Sequence, residues 1–175
     1  MTGPARASVK FYRDLFRYNH QVIENFLRKL EHLPKKAAER DRGIGHLSLA
    51  RTLLHVVRVH DAWLNYIVRG NFAGLHESHE RFARLRTVKD ARAYFGQSWK
   101  GIDRFLGELT PSELRRSARA PWMPGRYTVE DVLVQCTLEQ AHHVGEMIGA
   151  FWQQDIVPPQ MMFIPLRTGK RVSVA

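Results

Sequence analysis

Three side chains stand where their types and spacing could do chemistry: His55, Glu139 and His143. Glu139 and His143 are four residues apart, so on a helix they lie one turn apart on the same face, within reach of one ion. They also interrupt an apolar series, Val132, Cys136, Glu139, His143, Glu146 and Ala150, that a helix would turn toward a core. A buried carboxylate is costly unless it is paired or metal-bound. His55 lies between Leu53-Leu54 and Val56-Val57, inside an apolar segment and off any charged face. Together the three would form a His/Glu/His donor set with an open coordination position, suited to a divalent transition ion. Each has a plainer reading. A lone histidine in an apolar helix is commonly a hydrogen-bonded core or rim residue, and a Glu/His pair at this spacing occurs on many surface helices. Only the joint pattern favours metal.

The elements that would position these groups follow from apolar periodicity. Val9, Tyr12, Leu15, Phe16, Val22, Ile23, Phe26, Leu27, Leu30 and Leu33 recur at three- and four-residue steps, broken once by Asn19, and predict a helix from Ser8 to Leu33 that Pro34 stops. Ser48 is placed to cap a second helix ending near Gly70, apolar on more than one face and so expected to be the most buried. Residues 71–86 read as a polar connection. Thr87 with Asp90 has capping-box spacing and opens a third helix that runs to Leu109 before Pro111. Thr110 to Tyr127, with Pro111, Pro121, Pro124 and Gly125, reads as a long irregular connection. Thr128 with Asp131 then opens a fourth helix through Phe151, ended by Pro158-Pro159, and a tail from 160 to 175 starts apolar and turns basic. No segment of strand period, internal repeat or low-complexity run is evident. The expectation is an all-α four-helix bundle, one domain over 1–175 with a partly packed tail whose end frays.

Composition narrows the function class. With 44% hydrophobic and 25% charged residues the chain is globular in balance, neither disordered nor fibrous. The single cysteine, Cys136, excludes an internal disulfide, and no signal-peptide h-region or long apolar stretch is evident, so a cytoplasmic protein with no membrane span is expected. Lys+Arg 27 against Asp+Glu 17 gives +10. Such an excess could serve nucleic acid, but the basic residues are scattered and no helix-turn-helix, zinc-finger or RNP signature is present, so nucleic acid is not the expected partner. Cys136 reads as a buried inert thiol, His60 as a rim or interface histidine, and His76 and His79 as solvated loop residues. His142, diverging by about 100° from His143, points away from the site.

In order and spacing these segments resemble the DinB/YfiT-like superfamily of metal-binding four-helix bundles. The resemblance runs through Tyr18-Asn19 to Leu33-Pro34, Ser48 seven residues before His55, Thr128 to Leu133, Glu139-Gln140-Ala141-His142-His143-Val144-Gly145-Glu146, and Asp155 to Pro159. It implies His55, Glu139 and His143 as ligands of a divalent ion, Zn or Ni first, Mn or Fe next. Most members have histidine where Glu139 stands, but a His/Glu/His set is similar to the branch of mycothiol-dependent maleylpyruvate isomerase. Glu146 stands where glutamine is usual, and three residues from His143 it could orient that ligand or join it. The resemblance further implies a metal-dependent transferase or isomerase joining a low-molecular-weight thiol (mycothiol, bacillithiol or a glutathione-like compound) to a small electrophile, and a homodimer. Arg51 and Arg58, one turn to either side of His55, would help bind an acidic thiol or substrate, although solvated arginines are the plainer reading. Two other classes remain: a stress- or DNA-damage-associated binding protein using its basic surface, and a structural bundle with a relict site.

Overall fold

The computed structural model describes residues 5–43 and 46–168; the basic end of the tail lies outside them. Helix α1 (Ala5–Glu31) is followed by a short α2 (Lys35–Glu39), then α3 (Leu49–His60) continuing into a π-helical segment (Asp61–Ile67), α4 (Phe72–Phe82), α5 (Val88–Glu108), α6 (Pro111–Arg115), a β1–β2 hairpin (Ser117–Ala120 and Met123–Thr128), α7 (Val129–Trp152) and α8 (Phe163–Thr168). The bundle is α1, α3 with its π segment, α5 and α7. Their starts are fixed locally as expected. Ser48 accepts from the Arg51 N–H, and Thr87/Asp90 and Thr128/Asp131 form reciprocal capping boxes.

Three expectations are corrected. The polar stretch 71–86 contains α4, capped by Asn71 and anchored by buried Leu75 and Ser78, so His76 and His79 lie on a helix, with exposed His76 paired to Glu80 at 3.5 Å. The connection 110–127 holds a helical turn and an antiparallel hairpin with Ser117 opposite Thr128. The second helix does not keep its α-period to Gly70. Its last turns widen, the Val68 N–H donating to the Trp63 carbonyl five residues back.

The core forms two apolar clusters stacked along the bundle. One takes Val9 to Phe16 of α1, Trp63 to Val68, Ile102 to Leu109 of α5 and Val129 to Cys136 of α7. The other takes Val22 to Leu30, Leu49 to Val57, Val88 to Phe95 and Val144 to Phe151. Between them every bundle helix contributes buried polar residues at the same level: Asn19, then Arg58, His60 and Asp61, then Ser98, then Gln140 and His143. The break at Asn19 in the first helix is explained here. Its side-chain amide donates to Thr137 Oγ1 at 3.0 Å, and Gln140 Nε2 donates back to the Asn19 carbonyl at 3.3 Å. The candidate site opens from one side of this polar layer.

Candidate metal centre

His55, near the middle of α3, and Glu139 and His143, mid-way along α7, face one another because α3 and α7 pack directly. Glu139 Oε1 lies 3.3 Å from His55 Nε2 and 3.2 Å from His143 Nε2, bringing all three expected ligand residues together. The apolar series that singled them out is shifted by a fraction of a turn. The inward residues of α7 are Val132, Cys136, Gln140, His143, Val144, Met147 and Ala150, while Glu139 and Glu146 sit half-buried at the margin. The carboxylates therefore border the core and face a partly open rim.

A fourth group joins them that periodicity does not mark. The His46 ring stacks on His55, centroids 3.7 Å apart and planes at 19°, and lies 5.0 Å from the His143 ring. Ligating atoms of His46, His55 and His143 all fall within 4.8 Å of one another. His46 precedes α3, and its position is set by a backbone reversal at Leu47, whose φ of 77° places a bulky side chain in the left-handed region. Such a conformation costs on the order of 1–3 kcal/mol and persists where surrounding structure requires it. The sequence signal for His46 is only its closeness to the Ser48 cap.

Proton bookkeeping in this cluster is compatible with a cation. Glu146 Oε2 lies 2.8 Å from His143 Nδ1, and a carboxylate can only accept, so Nδ1 carries the hydrogen and donates. On its other side His143 Nε2 lies 3.2 Å from Glu139 Oε1, a pair satisfied by a hydrogen on Nε2 or by a cation that both atoms share. Burial pushes the His46 pKa down to about 4, with His55 and His143 adding to the effect, and burial also lowers that of His55. Burial alone would raise the Glu139 pKa, but hydrogen bonds to His55 and His143 outweigh it and hold the carboxyl below its usual range. At neutral pH His46 and His55 are thus neutral imidazoles and Glu139 a carboxylate, the protonation states a divalent ion takes without displacing protons. The set fits such an ion, with three nitrogens and an oxygen suiting Zn²⁺ or its first-row neighbours.

A family model for the DinB superfamily matches residues 18–147. The chain belongs to the DinB superfamily. The matched span includes α3, the π segment, α5 and all four candidate donors, and the all-α bundle agrees with that membership. No curated protein matches the chain.

The other expected site residues separate. Arg51 remains near the cluster, close enough to act on the His46 charge. Arg58 does not reach it. It is buried, its Nη1 donating to Ser78 Oγ at 2.7 Å and lying 3.5 Å from Asp61, which also accepts from Tyr94 at 2.5 Å and Asn65 at 2.8 Å. Arg58 is neither solvated nor available to a ligand at the histidines. His60 is a correction of the same kind: it is 1% exposed, in the polar layer rather than at a rim. His142 is exposed but does not leave the site: its Nε2 lies 3.3 Å from Glu146, and ligating atoms of His142, His143 and Glu146 fall within 4.8 Å of one another. Cys136 is buried, and burial pushes its thiol pKa well up, so it supplies no nucleophile.

Proposed function

We propose that this DinB-superfamily chain binds one divalent transition ion through His55, Glu139, His143 and His46, and uses it to present a small thiol to an electrophile. The observation that supports the reading is the convergence of four potential donors from α3, α7 and the segment before α3, with the Glu146 carboxylate accepting from His143 Nδ1. When bound, the ion supplies Lewis acidity, lowering the pKa of a coordinated thiol or water toward neutrality. The chain's own contribution is positional. Glu146 fixes the His143 tautomer so that Nε2 faces inward. Glu139 removes one unit of positive charge from the loaded site and favours harder ions than an all-imidazole set would. Arg51, beside His46, is the cation available to a carboxylate of the thiol or substrate. The clasp of Arg58 by Asp61 and Ser78 leaves that role to Arg51 alone of the two.

The test is metal titration of the stripped protein with Zn²⁺, Ni²⁺, Mn²⁺ and Fe²⁺, read by chelator competition. One equivalent is expected. His55→Ala and His143→Ala should each lose most of the binding, and Glu146→Ala should weaken it about 10–100-fold, as loss of an orienting carboxylate does elsewhere. A wild-type protein that takes up none of the four ions would overturn the site. Thiol chemistry is tested separately, by assaying the loaded protein for conjugation of mycothiol, bacillithiol or glutathione to a chromogenic electrophile. Loading without turnover would leave a binding protein and reject the transferase reading.

A further inference from the structure

Arg58, His76 and His79, which take no part in the histidine cluster, come together at a second place. Helix α4 and the β1–β2 hairpin both pack on the π segment that continues α3, and between them lies a cavity of about 550 Å³. Cavities of that size hold small ligands. Phe72, His76 and His79 line it from one face of α4, Trp122 from the hairpin turn, and Arg58 and Ala62 from α3 and the π segment. None of these is a candidate metal donor. Phe72 is 42% and Trp122 58% exposed, although rings of this size ordinarily serve a core or an interface. Trp122 is held in place by Trp63, with ring centroids 6.2 Å apart and planes at 64°, and Trp63 in turn meets Tyr127 at 6.0 Å.

The charge of the lining specifies the ligand. Every ionisable side chain that lines the cavity is basic, and no Asp or Glu is among them. Arg58 is only 9% exposed, and its one short hydrogen bond runs from Nη1 to Ser78 Oγ at 2.7 Å. Its contacts with Tyr94 Oη and the Leu75 carbonyl are 3.4 Å long and that with Asp61 is 3.5 Å, while Nε has no acceptor among the described residues. The Asp61 carboxylate accepts at shorter range from Tyr94, Asn65 and Ser78, at 2.5, 2.8 and 3.1 Å. A guanidinium carries five N–H groups, and one buried with those donors underused favours an anion beside it. Two open aromatic rings in the same cavity favour a flat, aromatic body for that anion. We propose that the cavity between α4, the π segment and the hairpin turn is a second binding site, for a planar aromatic carboxylate of one or two rings. The ring system lies against Trp122 and Phe72, and the carboxylate faces Arg58, with exposed His76 and His79 at the mouth. The site uses no metal, so its test and the metal titration fail independently.

Calorimetric titration of the full chain with naphthoate, in the presence of chelator, should show one saturable site with a Kd of about 0.1–1 mM, ordinary for a ligand of this size. Naphthamide has the same shape without the charge and should bind about tenfold more weakly or worse. Trp122→Ala, in an exposed turn, should weaken naphthoate about tenfold while leaving the thermal melt close to wild type. Arg58→Gln should erase the preference for acid over amide, and the comparison of the two ligands on wild type tests the charge even if that variant does not fold. His143→Ala should leave naphthoate binding unchanged. No saturable binding up to about 5 mM, equal affinity for acid and amide, or full binding by Trp122→Ala would each overturn the proposal. So would loss of binding in folded His143→Ala, which would move the carboxylate to the histidine cluster.

Discussion

The His60 imidazole is enclosed between Phe16, Trp99 and α7, its Nε2 3.1 Å from the Cys136 carbonyl. A carbonyl only accepts, so Nε2 bears the hydrogen, and Nδ1 is a buried lone pair without a hydrogen-bond partner. Charging this ring has no compensation, and burial pushes its pKa down to about 4. Because the folded pKa lies below the unfolded value near 6.5, the unfolded chain binds the extra proton in the interval. Stability from neutral His60 is therefore complete above about pH 6.5 and erodes as pH falls toward 4, by on the order of 3 kcal/mol. His60→Gln keeps an amide donor for the carbonyl but cannot titrate. Denaturant titrations from pH 7 to 4 should show a shallower loss for it than for wild type, and parallel curves would refute the assignment. The rim reading of His60 fails because its charged neighbours Arg58 and Asp61 are themselves buried, so an angle away from His55 is not an angle toward water. His55, Glu139 and His143 were legible because helical spacing carries side-chain direction. His46 was not, because a left-handed turn at Leu47 delivers it and no periodicity records such a turn.

At the scale of elements, α5 meets the π segment at a point set by one missing side chain. Asn65 in that segment donates to Asp61 Oδ1 at 2.8 Å and to the Ser98 carbonyl at 2.9 Å, and its amide lies directly where a Cβ at Gly101 would stand. Glycine to alanine in a helix normally stabilises by about 0.5–1 kcal/mol. Gly96, in the same helix, has open space around its would-be Cβ, so Gly96→Ala should show that gain. Gly101→Ala should reverse the sign and cost about 1–3 kcal/mol, because Asn65 must give up buried hydrogen bonds or the helices must part. Equal gains in thermal melts of the two variants would mean that Asn65 does not hold the contact. The four long helices and three of their N-caps were legible, since Ser48, Thr87 and Thr128 announce starts that apolar periodicity continues. The widened turns after His60 were not, since a π segment shifts hydrogen bonding by one residue without altering composition. The hairpin was hidden because its second strand is almost wholly exposed and carries Pro124 and Gly125, so it shows no alternation to read.

For the molecule as a whole, part of the positive charge serves the fold. Arg13 donates to the carbonyls of Leu106, Gly107 and Leu109 at the end of α5, Arg92 joins α5 to Glu24 and Glu31 of α1, and Arg116 binds Glu113 and the Val68 carbonyl. Arginines engaged in this way are fixed in place by carbonyls and carboxylates, which weakens the case for the basic surface as a polyanion footprint. Among the described residues no helix is long and apolar enough to cross a membrane. What joins the bundle's parts at the polar layer is the histidine cluster, which draws on α3, α7 and the segment before α3. An ion held there would link elements that are separate in the unfolded chain, so its binding energy adds to folding energy. At free metal one hundred-fold above Kd the gain is about 2.7 kcal/mol, which for a chain of this length raises Tm by roughly 5–10 °C. Thermal melts with Zn²⁺ or Ni²⁺ should show that rise, chelator should reverse it, and His55→Ala should abolish it while leaving the metal-free melt close to wild type. If saturating metal binds without moving Tm, the unfolded chain holds it equally well, and the cluster is not a site made by folding.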